Sequence, residues 1–586
     1  MKSLLRLLPY LKRYRRLLLW GVVAVALGNV FTVVQPLFIG RAIDTLKTGL
    51  ENRSLEPGDL LVYAILVVGA TVIAGVFSYL KRQTIIVASR HVEYDLRNDF
   101  LAHIQTLSLS FFQNTPTGDL MAHATNDIGA VRNALGPGIM YPADTLVTFV
   151  LVLGMMLSLD WQLTLLGLVP MPFVSFVVFR LGKLVHKKFE ERQQKYSELT
   201  TRAQENLSGI RVVKSYVREQ YEIGLFRTLS WEYLRKNLVL ARIQSIMWPL
   251  MFLFVGFSLI LILYLGGLKV IDGRMSVGTL TAFFVYLAML IWPMIAFGWV
   301  INILQQGAAS MNRLAKILDT EPEIKDGPAT DHSMSGISGK IEFRNVSFRH
   351  KNAERNTLEH ITLTIPAGTT LAVVGYTGSG KTTLVNLLPR LMDVTEGELL
   401  IDDVDIRTIP LSVLRSRIGY VPQETFLFSE TIAENIRYGS DGDDAEGVRR
   451  SAEIAQLQKD VAEFPKQYDT ILGERGITLS GGQKQRTSIA RALMRRPRIL
   501  ILDDALSSVD TYTEEEILKR LRGVMKGQTS ILISHRISTV KEADLIVVLN
   551  EGRIVERGVH DELVAQGGIY AELHRKQLLE EEIEHL

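Results

Sequence analysis

The chain is 586 residues long, 47% hydrophobic and 22% charged, with a mean hydropathy of +0.17 and a net charge of +3. That length exceeds one ordinary domain, and that hydropathy is high for a chain lying wholly in water, so part of it is expected in lipid. Its 65 basic and 62 acidic residues nearly cancel, which gives no general case for nucleic-acid binding, and the lack of cysteine excludes disulfides, thiolate zinc sites and thiol catalysis.

Basic residues (Lys2, Arg6, Lys12, Arg13, Arg15, Arg16) precede an apolar run that starts at Leu17. Ala24-Val25-Ala26 has the look of a signal-peptidase site, but the apolar run continues to about Ile43 and further apolar runs follow, so a retained helix is predicted. A bilayer core needs roughly 20 mostly apolar helical residues. Six stretches meet that length: approximately Leu17 to Ile39, Leu60 to Leu80, Met140 to Leu159, Trp161 to Leu181, Ile246 to Leu268 and Val277 to Leu304. Only Asp160 and its neighbours separate the third from the fourth, which predicts a tight hairpin. The connections between spans two and three and between four and five are long, helix-rich and basic in patches (Lys81, Arg82, Arg90, Arg97; Lys183, Lys187, Lys188, Arg192). Lys and Arg near span ends mark the cytoplasmic face. The N-terminus, both long connections and everything after Leu304 are therefore expected inside a multi-pass protein of the plasma (inner) membrane. Apolar residues at helical spacing, such as Val212, Val213, Tyr216 and Val217, predict that spans two to five run on as helices beyond the lipid.

From Asp319 to Lys340 the sequence turns polar and turn-prone (Glu321-Pro322, Asp326-Gly327-Pro328, Gly336, Gly339). The expected division is a helical six-span transmembrane domain over 1–320, a linker over 321–340 and an α/β P-loop domain over 341–586. Leu371 to Val374 reads as a buried strand feeding Gly375-Tyr376-Thr377-Gly378-Ser379-Gly380-Lys381-Thr382, which fits G-x-x-x-x-G-K-[ST]. In that pattern glycines let backbone N–H groups curl around phosphates, the lysine adds a point charge and the Thr382 hydroxyl suits Mg²⁺. Thr382, Thr383 and the residues to Leu388 open a helix whose N-terminus faces phosphate. Ile499 to Asp503 is a second buried strand ending in an acid, a Walker B arrangement with Asp503 as a direct or water-mediated Mg²⁺ ligand. Leu479-Ser480-Gly481-Gly482-Gln483 precedes a helical stretch over Lys484 to Met494. Ser480 is a good N-cap and the two glycines bare the N–H groups of the helix start, so this is a second anion site. One chain already has a phosphate cradle, and a second is explained if it reads another chain's nucleotide.

In these segments the sequence resembles the ATP-binding cassette (ABC) transporters, whose signature motif is that pentapeptide and whose cassettes close head-to-tail on two ATPs. The resemblance covers essentially the whole chain. It implies that Gln423, in Tyr420-Val421-Pro422-Gln423, is the Q-loop residue that contacts Mg²⁺ and the attacking water and senses the membrane domain. It implies that Ser507 to Asp510 form the D-loop, with Asp510 at the nucleotide interface, and that His535 is the switch histidine at the γ-phosphate. Gly473-Glu474-Arg475-Gly476 is similar to a loop that exporters of the family carry, and Phe112 to Met121 and Ser208 to Lys214 are similar to the two coupling regions of type IV exporters. The second of these docks on the partner's cassette in that family.

Two positions depart from the pattern. Most active cassettes have glutamate after the Walker B aspartate, as the base that polarises water, whereas this chain has Asp504. Loss of a general base typically costs about 10²- to 10⁴-fold, so this composite site is expected to bind ATP and hydrolyse it slowly. His350 stands where exporters place a tyrosine on adenine; its imidazole either stacks on the base or is a solvated turn residue. An intact signature beside a degenerate base implies one half of a heterodimeric exporter, paired with a different chain that carries the Walker B glutamate. A homodimeric exporter and an ATP-gated channel or regulator on the same scaffold are the alternatives. The resemblance implies ATP and Mg²⁺ as cofactors. Gln35, Pro36, Trp292, Pro293, Trp299, Asn302 and Gln305 interrupt apolar helices and are cavity candidates, although helix–helix hydrogen bonding explains them equally. The absence of charge at span centres favours hydrophobic or amphipathic cargo such as drug-like molecules, lipids or peptides.

Overall fold

The computed structural model describes residues 2–53, 56–351, 353–440, 442, 444–473, 476 and 478–584. Two compact units emerge: Met1–Gln105 with Thr117–Thr320, and Thr106–Pro116 with Glu321–Leu586.

The first unit is helical: α1 (Arg15–Glu51), α2 (Pro57–Lys81), α3 (Val87–Thr106), α4 (Pro137–Leu159), α5 (Trp161–Leu168), α6 (Met171–Ser208), α7 (Glu219–Ile271), α8 (Val277–Met289) and α9 (Ile291–Leu318). Apolar side chains lie outward on much of α1, α2 and α7, the pattern of helices whose solvent is lipid. Among the described residues four helical runs are long and apolar enough to cross a membrane: Arg15–Glu51, Gly58–Thr106, Thr117–Leu159 and Glu219–Ile271. Hydropathy along the chain nominates six candidates, and the remaining two are interrupted helices. Trp161 to Leu181 is divided at Val169–Pro170, where proline lacks the N–H to continue the ladder. Val277 to Leu304 is divided at Leu290, three residues before Pro293.

The hairpin between α4 and α5 is as tight as predicted. Asp160 accepts the Leu163 N–H at 2.9 Å as an N-cap and the Lys269 ammonium at 2.5 Å, so a residue from α7 closes the turn. Helices α6 and α7 run well past their apolar stretches and pack along each other. Ion pairs Lys236–Glu191, Lys195–Glu232 and Arg202–Glu222 connect these polar extensions. At the α1–α8 crossing Gly278 has no room for a side chain, since a Cβ there would sit 1.9 Å from the Gly40 carbonyl oxygen. Asp44 accepts the Gly278 N–H at 2.7 Å and the Ser276 hydroxyl at 2.6 Å, which satisfies the start of α8.

The second unit holds two sheets built from β1 (Ile341–Phe348), β2 (Leu358–Ile365), β3 (Thr370–Val374), β4 (Glu396–Ile401), β5 (Val404–Asp405), β6 (Ile418–Val421), β7 (Ile499–Asp503), β8 (Thr529–Ile533), β9 (Leu545–Asn550) and β10 (Arg553–Gly558). The smaller is antiparallel, in the order β2-β1-β4-β5. The larger runs β10-β9-β3-β8-β7-β6, parallel except at β10. Strands β7 and β8 are buried at every position, which is why they read as continuous apolar runs rather than alternating ones. A core including Ile341, Phe343, Leu363, Val373, Ile501 and Val547 joins the sheets. Residues 321–340 are pinned to this unit: Asp326 accepts the Leu411 N–H at 3.0 Å, and Asp402 accepts the N–H groups of Ser338, Gly339 and Lys340.

Candidate nucleotide site

Strands β3, β8 and β7 are parallel neighbours, so their carboxyl ends open on one side, where α/β sheets bind ligands. Gly375 follows β3, Asp503 ends β7 and His535 lies two residues beyond β8. Gly375 has φ 149° and Gly380 φ 101°; a Cβ on the first would fall 2.1 Å from the Leu549 carbonyl oxygen and on the second 2.9 Å from that of Thr357. Only glycine lets the loop turn back so closely. Helix α10 (Lys381–Asn386) starts directly from Gly380.

A cavity of about 230 Å³ is lined by Thr377, Gly378, Gly380, Lys381, Thr382, Thr383, Gln423, Asp503, Asp504 and His535, with Thr357 and Ile533 completing the wall. Residues from separate stretches of sequence thus meet at one hollow. Lys381 is 7% exposed and donates to the Gly375 and Tyr376 carbonyls, both at 2.9 Å. Burial lowers its pKa, against the opposing charges of Asp503 and Asp504. Asp503 is 1% exposed and burial raises its carboxyl above the usual range, while the Thr382 hydroxyl, donating to Oδ1 at 3.3 Å, acts the other way. Asp503 Oδ2 is buried with no hydrogen-bond partner, and so is Ser379 Oγ. An orphaned carboxylate oxygen beside a threonine hydroxyl fits a hard divalent cation completed by phosphate oxygens. Among the described residues no cluster of three acidic or histidine side chains offers a self-sufficient metal cage.

Asp504 adopts φ 49°, fixed by its N–H donating to the Ile533 carbonyl at 2.9 Å. The His535 carbonyl accepts from the Gln577 amide, whose oxygen accepts the Ile537 N–H at 2.7 Å, so the C-terminal helix Ile569–Glu584 holds the histidine loop. Sequence reasoning missed Gln577 and Thr357 because neither lies in a motif; they enter through the return of distant chain segments. His350 sits edge-on to Phe348, ring centroids 4.9 Å apart, and is not among the residues lining this cavity.

Ser480 caps α11 (Gly481–Met494) by accepting the Gln483 N–H at 3.3 Å, and Gln483 Oε1 accepts the Ser480 N–H at 3.0 Å. Asp460 receives the Gln483 amide at 3.0 Å and Arg486 at 2.8 and 2.7 Å, a brace that the sequence did not reveal. None of Leu479, Ser480, Gly481, Gly482 and Gln483 lines the phosphate cavity. Asp510 caps α12 (Thr511–Met525), accepting the Thr513 N–H at 2.9 Å. Glu474 and Arg475 of the exporter-type loop lie outside the described residues.

The family profile of the ABC transporter transmembrane region matches residues 18–294, and that of the ABC transporter matches residues 358–507. A probable multidrug resistance ABC transporter ATP-binding/permease protein of Bacillus subtilis, YheI, is 38% identical over 95% of this chain and 95% of its own length. The chain belongs to the ABC transporter family. The transporter is also 36% identical to the multidrug resistance-like protein MdlA of Escherichia coli, over 97% of this chain and 96% of that one. An ATP-dependent lipid A-core flippase of Syntrophus aciditrophicus shares 36% identity over 99% and 95% of the two chains. A bacterial Atm1-family ABC exporter solved with ATP bound superposes with a TM-score of 0.78 at 28% identity, covering 96% of the transporter and 98% of that chain. The architecture is therefore a helical transmembrane region followed by an ATP-binding α/β domain.

The transmembrane unit has a cavity of its own, of about 740 Å³. Tyr141 and Trp299, ring centroids 4.9 Å apart and edge to face, wall it together with Ile303, while Glu93, Arg132, Asn133 and Gln306 supply polar groups. Of the span-interrupting residues singled out in the sequence, Trp299 lines this cavity; Asn302 and Gln305 do not.

Proposed function

We propose that the transporter is one half of an ATP-driven exporter that moves hydrophobic or amphipathic molecules out of the cytoplasm or inner leaflet. Its own composite ATP site is slow, and its partner is a second half-transporter carrying a Walker B glutamate. The observation that supports the two-cassette assembly is the separation of the signature from the phosphate cavity, and Asp504 in place of a glutamate after Asp503 supports the slow site and the unlike partner. An N-terminus capped and backed by glycines, yet facing no phosphate loop of its own chain, is complete only against a second cassette. The relatives' names point the same way, being those of multidrug and lipid A transporters.

In this reading residues 1–320 span the inner membrane six times, 321–340 join the domains and 341–586 form a cytoplasmic cassette. P-loop amides and Lys381 hold the β- and γ-phosphates, and Asp503, Thr382 and Gln423 hold Mg²⁺. The metal, when bound, offsets the phosphate charge. Gln423 and His535 orient the attacking water and the γ-phosphate, and Asp504 is the weak base. Leu479 to Gln483, with Asp510, serve the partner's ATP. The 740 Å³ cavity falls in the size range of drug-sized ligand sites, and its mixed wall, with Tyr141, Trp299 and Ile303 beside Glu93, Arg132, Asn133 and Gln306, suits amphipathic cargo.

The test is to express the chain alone and with its genomic neighbour, reconstitute each into inside-out vesicles and follow ATP-dependent uptake of a lipophilic substrate. Uptake is expected from the pair and little from the single chain. Vigorous uptake by the single chain would overturn the heterodimer. ATP turnover by the pair without movement of any lipophilic, lipid or peptide substrate would overturn the exporter.

A further inference from the structure

Gln485, 5% exposed on α11, is the side chain through which the signature helix reaches the loop after Asp503. Its Oε1 accepts the Ser508 N–H at 2.9 Å. Its Nε2 donates to Ser507 Oγ at 2.9 Å and to the Asp504 carbonyl at 3.4 Å. The Ser507 hydroxyl donates to that same carbonyl at 3.1 Å, so one amide reaches Asp504 both directly and through a relay. The backbones meet equally closely. A Cβ on Gly481 would lie 3.2 Å from Ser508 Cβ, and one on Gly482 would lie 3.0 Å from the Ser508 carbonyl oxygen. Asp504 itself holds a left-handed backbone conformation, φ 49°, which an L-residue keeps only when its neighbours over-determine it.

We infer that Gln485 is a positioning residue that couples the two ATP sites of the assembled transporter: it ties the helix that closes on the partner's nucleotide to the residue that serves this chain's own. The inference rests on the composite-site reading above. When the partner's ATP draws the signature helix inward, the amide carries the Asp504 backbone with it, because a buried side-chain amide with both ends bonded gives up either bond only at the cost of an unpaired polar group. Occupancy of one site thereby sets the aim of the base in the other. In no step does Gln485 touch nucleotide.

The assay reads hydrolysis on this chain alone, as labelled ADP trapped with vanadate in the full-length transporter in its native assembly. Gln485→Glu keeps an acceptor for the Ser508 N–H, removes the donor to Asp504 and attracts the Ser507 hydroxyl away from it. Ser507→Ala cuts only the relay and is the control should Gln485→Glu fail to assemble. Asp504→Glu alone is expected to raise trapping on this chain at least about tenfold. With Gln485→Glu added, the gain falls to within about twofold of wild type, because a displacement near 1 Å already costs on the order of 100-fold. Ser507→Ala removes part of the gain. A role confined to folding would leave the fold-gain from Asp504→Glu unchanged in both backgrounds, and that result overturns the inference. Absence of any gain from Asp504→Glu, with trapping still lowered by Gln485→Glu, would sink the weak-site reading and leave the coupling standing. Absence of both effects would sink both.

Discussion

Replacing Asp504 with glutamate tests the central chemical claim, and its magnitude follows from the geometry. The backbone at 504 is held from both sides, by the Ile533 carbonyl on its N–H and by Gln485 and Ser507 on its carbonyl, so the carboxylate does not gain a methylene's reach by shifting independently of these neighbours. On the proposed weak-site reading, the missing methylene leaves the base about 1.5 Å short, against a working window only about 0.6 Å wide. Losing a base costs about 10²- to 10⁴-fold, or roughly 3 to 5 kcal/mol at 1.36 kcal/mol per decade. Glutamate at φ 49° introduces left-handed strain of about 1 kcal/mol, which is smaller, so the substitution is expected to restore hydrolysis. The size of the gain reports the assembly. In a heterodimer whose partner site already turns over independently, total phosphate release rises at most about twofold, since one productive site becomes two. In a homodimer both sites recover and the rate climbs by about 100-fold or more. The measurement is kcat at saturating Mg·ATP in nanodiscs, with melting temperature as the folding control. An unchanged kcat in a folded, nucleotide-binding variant would refute the reasoning.

Ser480→Arg places a bulky cation on the capped start of α11 and is expected to lower turnover by about 100-fold or more, the scale of losing an oriented donor set, while ATP still binds the P-loop of this chain. Lys381→Ala should remove that binding and spare more of the turnover; photolabelling beside steady-state rates distinguishes them, and equal losses would contradict the division of labour. Asp503 supplies a linkage prediction. Its folded pKa is raised above the unfolded value near 3.8, so its contribution to stability is full below that value and is lost as pH rises through the folded pKa. At neutral pH the ionised group is a burden that a bound cation relieves. Mg²⁺ with a non-hydrolysable ATP analogue should therefore raise the melting temperature by a few °C more than the analogue with chelator, and Asp503→Asn should abolish that difference. An equal rise with and without Mg²⁺ in the unsubstituted chain would remove Asp503 from the metal site.

Much of the candidate nucleotide site, as the set of residues that line one cavity, was legible in the sequence for a definite reason. Gly375 to Thr382, Asp503 and His535 each lie at or just after the end of a parallel strand, and such strands announce themselves as short apolar runs. What the sequence concealed are the braces, Asp460 under Gln483, Gln577 on the His535 loop and Gln485 under Ser508, because each joins segments whose meeting depends on the whole fold. The membrane half was less legible in detail. Hydropathy registered apolar length, but Pro170 and the break at Leu290 divide two of the six stretches, and composition averages over such interruptions. The cavity residues other than Trp299 were missed for a related reason. Polar character drew attention to Asn302 and Gln305, whereas Tyr141, Ile303 and Gln306 were selected by which face their helices turn toward one another.

Residues 106–116 fold with residues 321–586, although in sequence they fall between helices of the other unit. Ser108 Oγ accepts the Ile324 N–H at 3.0 Å and Ser110 donates to Glu323 at 2.7 Å, both bonds inside the second unit. The chain thus passes between its units three times, and no single cut frees either one whole. A cassette fragment begun at 321 would lack an eleven-residue strip of its own structure. An exchange of domains with a relative at that joint would seat each cassette against residues 106–116 of the other chain, so a swap that keeps the second unit whole has to carry that strip along with residues 321–586.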